Sequence, residues 1–232
     1  AHLTTDGKLA ALDLDSEGSI ASWCSIVLLF MCGLTTMSVR RLRVAARCSL
    51  IESRLWLAVC LLWFTMSLDE GASLHEAFKE MIARITGTRI LGDGSIYWAV
   101  PYFLLLSASG LFVLRAARGC PAAIASLFGA GISYAIAVIA QLELFLGNHP
   151  AIETWIEESC EMLGGLFILM TLGLYARWLV VQLEHARDAE SAGARERGSR
   201  GEGTVPCAAA RNEPKRPHWA LTGKALDRER FS

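Results

Sequence analysis

In the stretch Ser67-Leu68-Asp69-Glu70-Gly71-Ala72-Ser73-Leu74-His75-Glu76, three carboxylic acids and an imidazole stand at the end of an apolar run. That run, residues 55–68, is too short to cross a bilayer. A spanning helix takes about 20 residues at about 1.5 Å each. Counting that length from Leu55 draws Asp69 and Glu70 into the outer part of the span. Acids at such depth are costly, and they pair, hold an ion or relay protons. In one continuous helix, seven residues make nearly two turns. Asp69 and Glu76 would then share a face, with Ser73 between them.

A second acidic group lies far along the chain. Glu153, Glu157, Glu158 and Glu161 precede a short neutral run, residues 162–176, and Arg177 follows it. Glu157 and Glu161 are one helical turn apart. Glu143 closes another apolar run, ahead of the turn Gly147-Asn148-His149-Pro150. Two carboxylate faces that meet repel each other unless a cation or shared protons lie between them. Asp69, Glu70, His75, Glu76, Glu143, Glu157 and Glu161 are therefore candidate ligands for a divalent metal. Oxygens with imidazole suit Zn, Mn or Fe, and oxygens alone suit Ca or Mg. A bound metal would activate water or polarise a substrate, with Glu76 or Glu161 as candidate base. The plainer reading of such acids is a solvated, headgroup-level helix face, and it fits Glu153 and Glu158 best. His75 has a plainer role too, as a cap or as partner to a neighbouring carboxylate, and His149 as a turn residue.

Several named chemistries are excluded. His75-Glu76-Ala77-Phe78-Lys79 opens like a zinc-protease helix but has lysine where the second histidine must stand. No pair of Glu-x-x-His elements is present for a di-iron site. Ser133, in Gly131-Ile132-Ser133-Tyr134, lacks the glycine that a nucleophile elbow needs. There is no Gly-rich phosphate loop, and no basic run interleaved with aromatics, which excludes a nucleic-acid partner. The seven cysteines form no C-x-x-C and read as small hydrophobes.

The elements that must position these residues are membrane helices. The chain is 53% hydrophobic and 19% charged, with a net charge of −1, and its apolar residues come in long blocks. That composition is an all-α integral membrane bundle of about five transmembrane helices. The acidic start, with Asp6, Asp13, Asp15 and Glu17, argues that the first apolar run is a retained span rather than a cleaved signal. The spans read as residues 18–39, from 55 into the acidic element, 94–114, 119–142 and 162–183. Leu74, Phe78, Met81, Ile82 and Ile85 recur at helical spacing, so the chain after Glu70 continues the helix or lies flat on the membrane surface. Small residues in the fourth span, Ala122-Ser126-Ala130 and Ala125-Gly129-Ser133-Ala137, predict a central helix with close neighbours. The domain plan is a short outer segment (1–18), the five-helix domain (19–183) and a disordered cytoplasmic tail (184–232).

Arginine placement sets the orientation. Arg40, Arg41, Arg43, Arg47 and Arg54 follow the first span, and Arg115 and Arg118 follow the third. Excess basic charge stays cytoplasmic, so the N-terminus should be outside a cell membrane crossed several times. The acids of the second, fourth and fifth spans then share the outer side.

The Ser-Leu-Asp-Glu-x4-His-Glu element resembles one found in uncharacterised bacterial multi-pass membrane proteins, a resemblance that implies a bacterial inner membrane and no particular activity. The leading functional expectation is a carboxylate and histidine metal site acting on a membrane-soluble substrate, a lipid or a quinone. Two others stand beside it: a non-catalytic subunit of a larger membrane complex, and cation or proton transport. The bilayer, and other membrane subunits in the second case, are the partners these readings require.

Overall fold

The computed structural model describes residues 4–5, 8–9, 20–90, 94–141 and 150–200 of the 232. Among the described residues, a minimal antiparallel pairing of β1 (Thr4–Thr5) with β2 (Lys8–Leu9) precedes six helices. These are α1 (Ile20–Ala45), α2 (Leu50–Ala72), α3 (Leu74–Thr86), α4 (Ile96–Ala116), α5 (Pro121–Gln141) and α6 (Pro150–Arg200). All except α3 are long and apolar enough to cross a membrane. The protein is an all-α membrane bundle.

Local chemistry sets the helix ends. Ser49 caps α2 by accepting from the Glu52 backbone N–H at 3.1 Å, and the Ser49-x-x-Glu52 spacing is that of a capping box. Glu52 also receives Arg43 Nε of α1 at 2.6 Å, while Arg40 Nε donates to the Ser53 carbonyl at 3.1 Å. The basic ends of α1 and α2 are thereby tied together. Pro121 and Pro150 occupy first-turn positions, where a missing N–H costs nothing. Gly87 ends α3 with φ of 68°.

Four of the spans form a row. α6 packs on both α5 and α1, and α1 packs on α2. The core runs along these seams: Trp56, Tyr175, Leu172, Leu179, Val39 and Cys32 are fully buried. Trp56 stacks on Tyr175 with ring centroids 5.8 Å apart. The central helix is thus α6 rather than the small-residue helix α5. The face of α5 that is buried is Ala123, Ser126, Ala130, Ser133, Ala137 and Ala140, while Ala122 and Ala125 of the expected ladders are exposed. On that face Ser126 Oγ donates to the Phe167 carbonyl at 2.8 Å. The small side chains admit one bulky neighbour, α6, instead of several helices.

α4 is loosely held. It touches α3 and α5 only lightly, meets α2 where Phe112 packs edge-on to Trp56 with ring centroids 4.8 Å apart, and elsewhere faces the rest of the bundle across a cavity.

Two boundaries differ from the sequence reading. Of the two alternatives for the segment after Glu70, continuation of α2 as one helix is overturned: Ser73, at φ 48° and ψ 42°, breaks it and starts α3 at a new angle. At the other end, α6 continues past Leu183 to Arg200. Residues 184–200 carry alanine, glutamate and arginine, strong helix formers that need no buried face to extend an existing helix. Residues 201–232 lie outside the described residues, as do most of 1–18.

Candidate functional site

The left-handed turn at Ser73 governs the site. Its backbone N–H bonds back to the Asp69 carbonyl, closing α2, and the reversal returns His75 over the end of that helix. His75 Nδ1 lies 3.0 Å from Asp69 Oδ2. Asp69, only 5% exposed, also accepts a hydrogen bond from the Tyr102 hydroxyl of α4. The His75 ring packs on Trp98, centroids 4.9 Å apart, and Trp98 meets Tyr102 edge-on. Three helices thus hold one carboxylate, one imidazole and one phenol in mutual contact.

The imidazole responds to two opposed influences. Burial disfavours its charged form, but the hydrogen bond that His75 donates to Asp69 and the charges of Asp69, Glu76 and Glu70 outweigh it. The His75 pKa is raised above its ordinary value.

Glu76 does not share a face with Asp69, because the break at Ser73 rotates it away. Its carboxylate sits 2.6 Å from Lys79 Nζ and 3.9 Å from His75 Nε2. Lys79 itself is 6% exposed and faces inward, while Leu74, Phe78, Met81 and Ile85 of α3 point outward. An outward apolar stripe on a short helix fits the membrane interface.

The second acidic group joins from α6. Cys32 Sγ of α1 bonds to the Gly165 carbonyl at 3.7 Å. Both helices run in the same sense, so that contact sets Glu158 and Glu161 level with Ser25 and Leu28, well inside α1. Glu161 lies within electrostatic range of Glu70, Glu157 and Glu158. Gln141, at the end of α5, donates its amide nitrogen to Glu157 and accepts from Ser95 Oγ at 3.2 Å. Glu143 and His149, the remaining acid and turn histidine of the sequence reading, fall outside the described residues.

The site's described acids, His75, Tyr102 and Gln141 open on one cavity of about 850 Å³. Its polar end carries Asp69, Glu70, His75, Glu76, Tyr102, Gln141, Glu157, Glu158 and Glu161. Its remaining wall is apolar, with Phe103 and Leu106 of α4, Leu127 and Val138 of α5, and Ile168 and Leu172 of α6. Among the described residues no three His, Cys, Asp or Glu side chains converge on a point where an ion would sit. Asp69 is engaged by His75 and Tyr102, Glu76 by Lys79, and Glu157 by Gln141.

A family model for a domain of unknown function, DUF8692, matches residues 4–175, which includes every candidate site residue. The chain belongs to this family. No curated protein and no solved structure matches it. Within this DUF8692 member, sequence reasoning passed over Tyr102, Trp98 as a site residue, and Gln141. Helical phase offered a signal: Trp98 and Tyr102 are one turn apart in a neutral span, so both face the same neighbour.

Proposed function

We propose that the protein binds the polar end of a membrane-soluble molecule at the Asp69–His75–Tyr102 group, with the rest of that molecule in the apolar part of the cavity. One observation carries this reading: a single cavity joins that group to walls drawn from all five spans. Pockets for small molecules are mostly apolar with a few convergent polar groups, and this one has that division. Asp69 fixes the imidazole and stabilises its charged form. His75 can therefore donate to a ligand oxygen, or exchange a proton with it if a reaction follows. The basic end of the bundle faces the cytoplasm in this reading, and the cavity's polar end faces outward.

The test is chemical identification of what the protein carries. Extraction into nanodiscs without detergent exchange, followed by mass spectrometry of released small molecules, should show one enriched species with the wild type. Asp69→Asn and His75→Gln should lose it. A wild type enriched in nothing beyond the bulk lipid would end the proposal.

A second reading has its own observation. Glu70, Glu157 and Glu158 each lie within electrostatic range of Glu161, an arrangement that favours shared protons or a cation. A divalent ion there would have an oxygen-only donor set, which favours Ca²⁺, Mg²⁺ or Mn²⁺ over Zn²⁺. Elemental analysis of purified protein, with Glu161→Gln as control, decides it. A stoichiometric ion that the variant loses supports the reading, and an ion-free wild type removes it.

A further inference from the structure

The cavity's dimensions, its charge and two orphaned donors narrow the class of molecule, on the reading that a membrane-soluble ligand occupies it. On α4 the lining runs from Trp98 to Leu114, which at about 1.5 Å per residue is roughly 24 Å, most of a hydrocarbon core. A volume of about 850 Å³ holds, at roughly 30 Å³ per water-sized group, some 28 such groups. One chain of about eighteen carbons with a small head fits that space, and two such chains do not.

The polar end sets the head. Asp69, Glu70, Glu76, Glu157, Glu158 and Glu161 line it against one imidazole, and no lysine or arginine lines any part of the cavity. Asp69 is paired with His75 and Glu76 with Lys79, so a phosphate or carboxylate head would still meet an excess of acids. An amine or hydroxyl head would find acceptors in plenty. A further observation points to a ligand rather than to an acidic surface. Ser25 Oγ and Trp63 Nε1 belong to residues only 6% and 2% exposed, both line the cavity, and neither has a hydrogen-bond partner among the described residues. A buried donor without a partner costs about 1–3 kcal/mol, so a small shift of the lining that brings an acceptor on the occupant to them is favoured. Ser25 lies level with the acids and Trp63 about six residues deeper along α2 than Asp69.

We infer that the occupant is a single-chain lipid with an uncharged or cationic, hydroxyl- or amine-bearing head, lying between α4 and the row of the other four spans. It fills the gap between the Tyr102 and Phe112 contacts, where α4 does not pack directly on that row. Two glycines give access to the chain region. Cβ atoms built on Gly110 of α4 and Gly131 of α5 meet nothing within 4 Å, and both residues line the cavity.

The experiment uses the full chain in detergent, with binding read by thermal shift and native mass spectrometry. Octadecylamine and octadecanol should bind saturably, and octadecyl phosphate, with the same chain, at least about tenfold more weakly, a difference of about 1.4 kcal/mol. Dioleoylglycerol, with a hydroxyl head and two chains, should not bind. Gly110→Phe and Gly131→Phe should keep the wild-type helix content and lose octadecanol. Equal binding of octadecyl phosphate overturns the head assignment, and equal binding of dioleoylglycerol overturns the single chain. Undiminished octadecanol binding in both folded phenylalanine variants overturns the placement. The broader proposal falls separately, if the protein retains no small molecule of any class from its own membrane.

Discussion

The Asp69–His75 contact is the central pair of the site: Asp69's other partner, the Tyr102 hydroxyl, is neutral, and Glu76 stands farther from the imidazole, at 3.9 Å. Asp69 is nearly fully buried, so removing its cation leaves a carboxylate in a poor medium. Breaking a buried pair from one side costs about 3–5 kcal/mol. His75→Gln should therefore lower stability by that order in a denaturation series, and Asp69→Asn by less, since a neutral amide still bonds His75 and Tyr102. Equal, near-zero effects would show that the pair is not closed in solution. The pH dependence follows from the raised His75 pKa. The stabilisation is fully present below the unfolded value of about 6.5 and disappears as pH rises through the higher folded value. Melting temperature should accordingly fall across that alkaline side in the wild type, and the fall should be absent in His75→Gln. The burial of Asp69 was legible in the sequence, because a short apolar run draws acids to depth. Tyr102 was not, since a tyrosine in a neutral span looks like any other interfacial aromatic until its partner is placed.

At the scale of elements, the corner at Ser73 and the glycines at helix seams make opposite demands. A serine at φ 48° occupies a region that costs a side-chain-bearing residue about 1–2 kcal/mol. Ser73→Gly should relieve part of this and raise stability by up to about 1 kcal/mol. Ser73→Val should open the corner and separate His75 from Asp69, which a loss of the His75-dependent pH effect would report. Gly164 behaves otherwise: a Cβ there would stand 2.9 Å from the Tyr134 ring. Overpacking a helix seam costs about 1–3 kcal/mol. Gly164→Ala should fall in that range, whereas Gly110→Ala should be neutral or mildly stabilising, since its Cβ meets open space and alanine is the better helix former. If both alanines behaved alike, the α5–α6 packing described here would be wrong. Hydrophobic length and small-residue spacing were enough to predict five spans, and the structure has them. They did not predict which helix is central, because Ala-Ser-Gly ladders state how closely a neighbour approaches but not how many neighbours there are. The break at Ser73 was equally hidden, since periodicity runs through Leu74, Phe78 and Met81 without a gap.

The whole molecule is a row of four packed spans with a fifth that meets it at Tyr102 and Phe112 and stands off between them. The acids at one end and the arginines at the other give that row a polarity, which the sequence already displayed, whereas the gap beside α4 had no trace in it. Hydropathy cannot distinguish a helix that faces lipid from one that faces a cavity, because both need apolar side chains. The consequence concerns stability. A helix with few direct contacts opens locally at lower free energy than one packed on two sides. In a single micelle preparation, amides around Leu105 in α4 should therefore exchange faster than those around Leu172 in α6, both being mid-helix and equally far from water by sequence. The cause can be separated from mere depth by occupancy. A molecule filling the cavity replaces the missing contacts, so saturating octadecanol should slow α4 and leave α6 unchanged, and Gly131→Phe should abolish that difference. Equal protection of α4 and α6 without any added molecule would mean that α4 is held by contacts of its own, and the stand-off geometry would have to be given up.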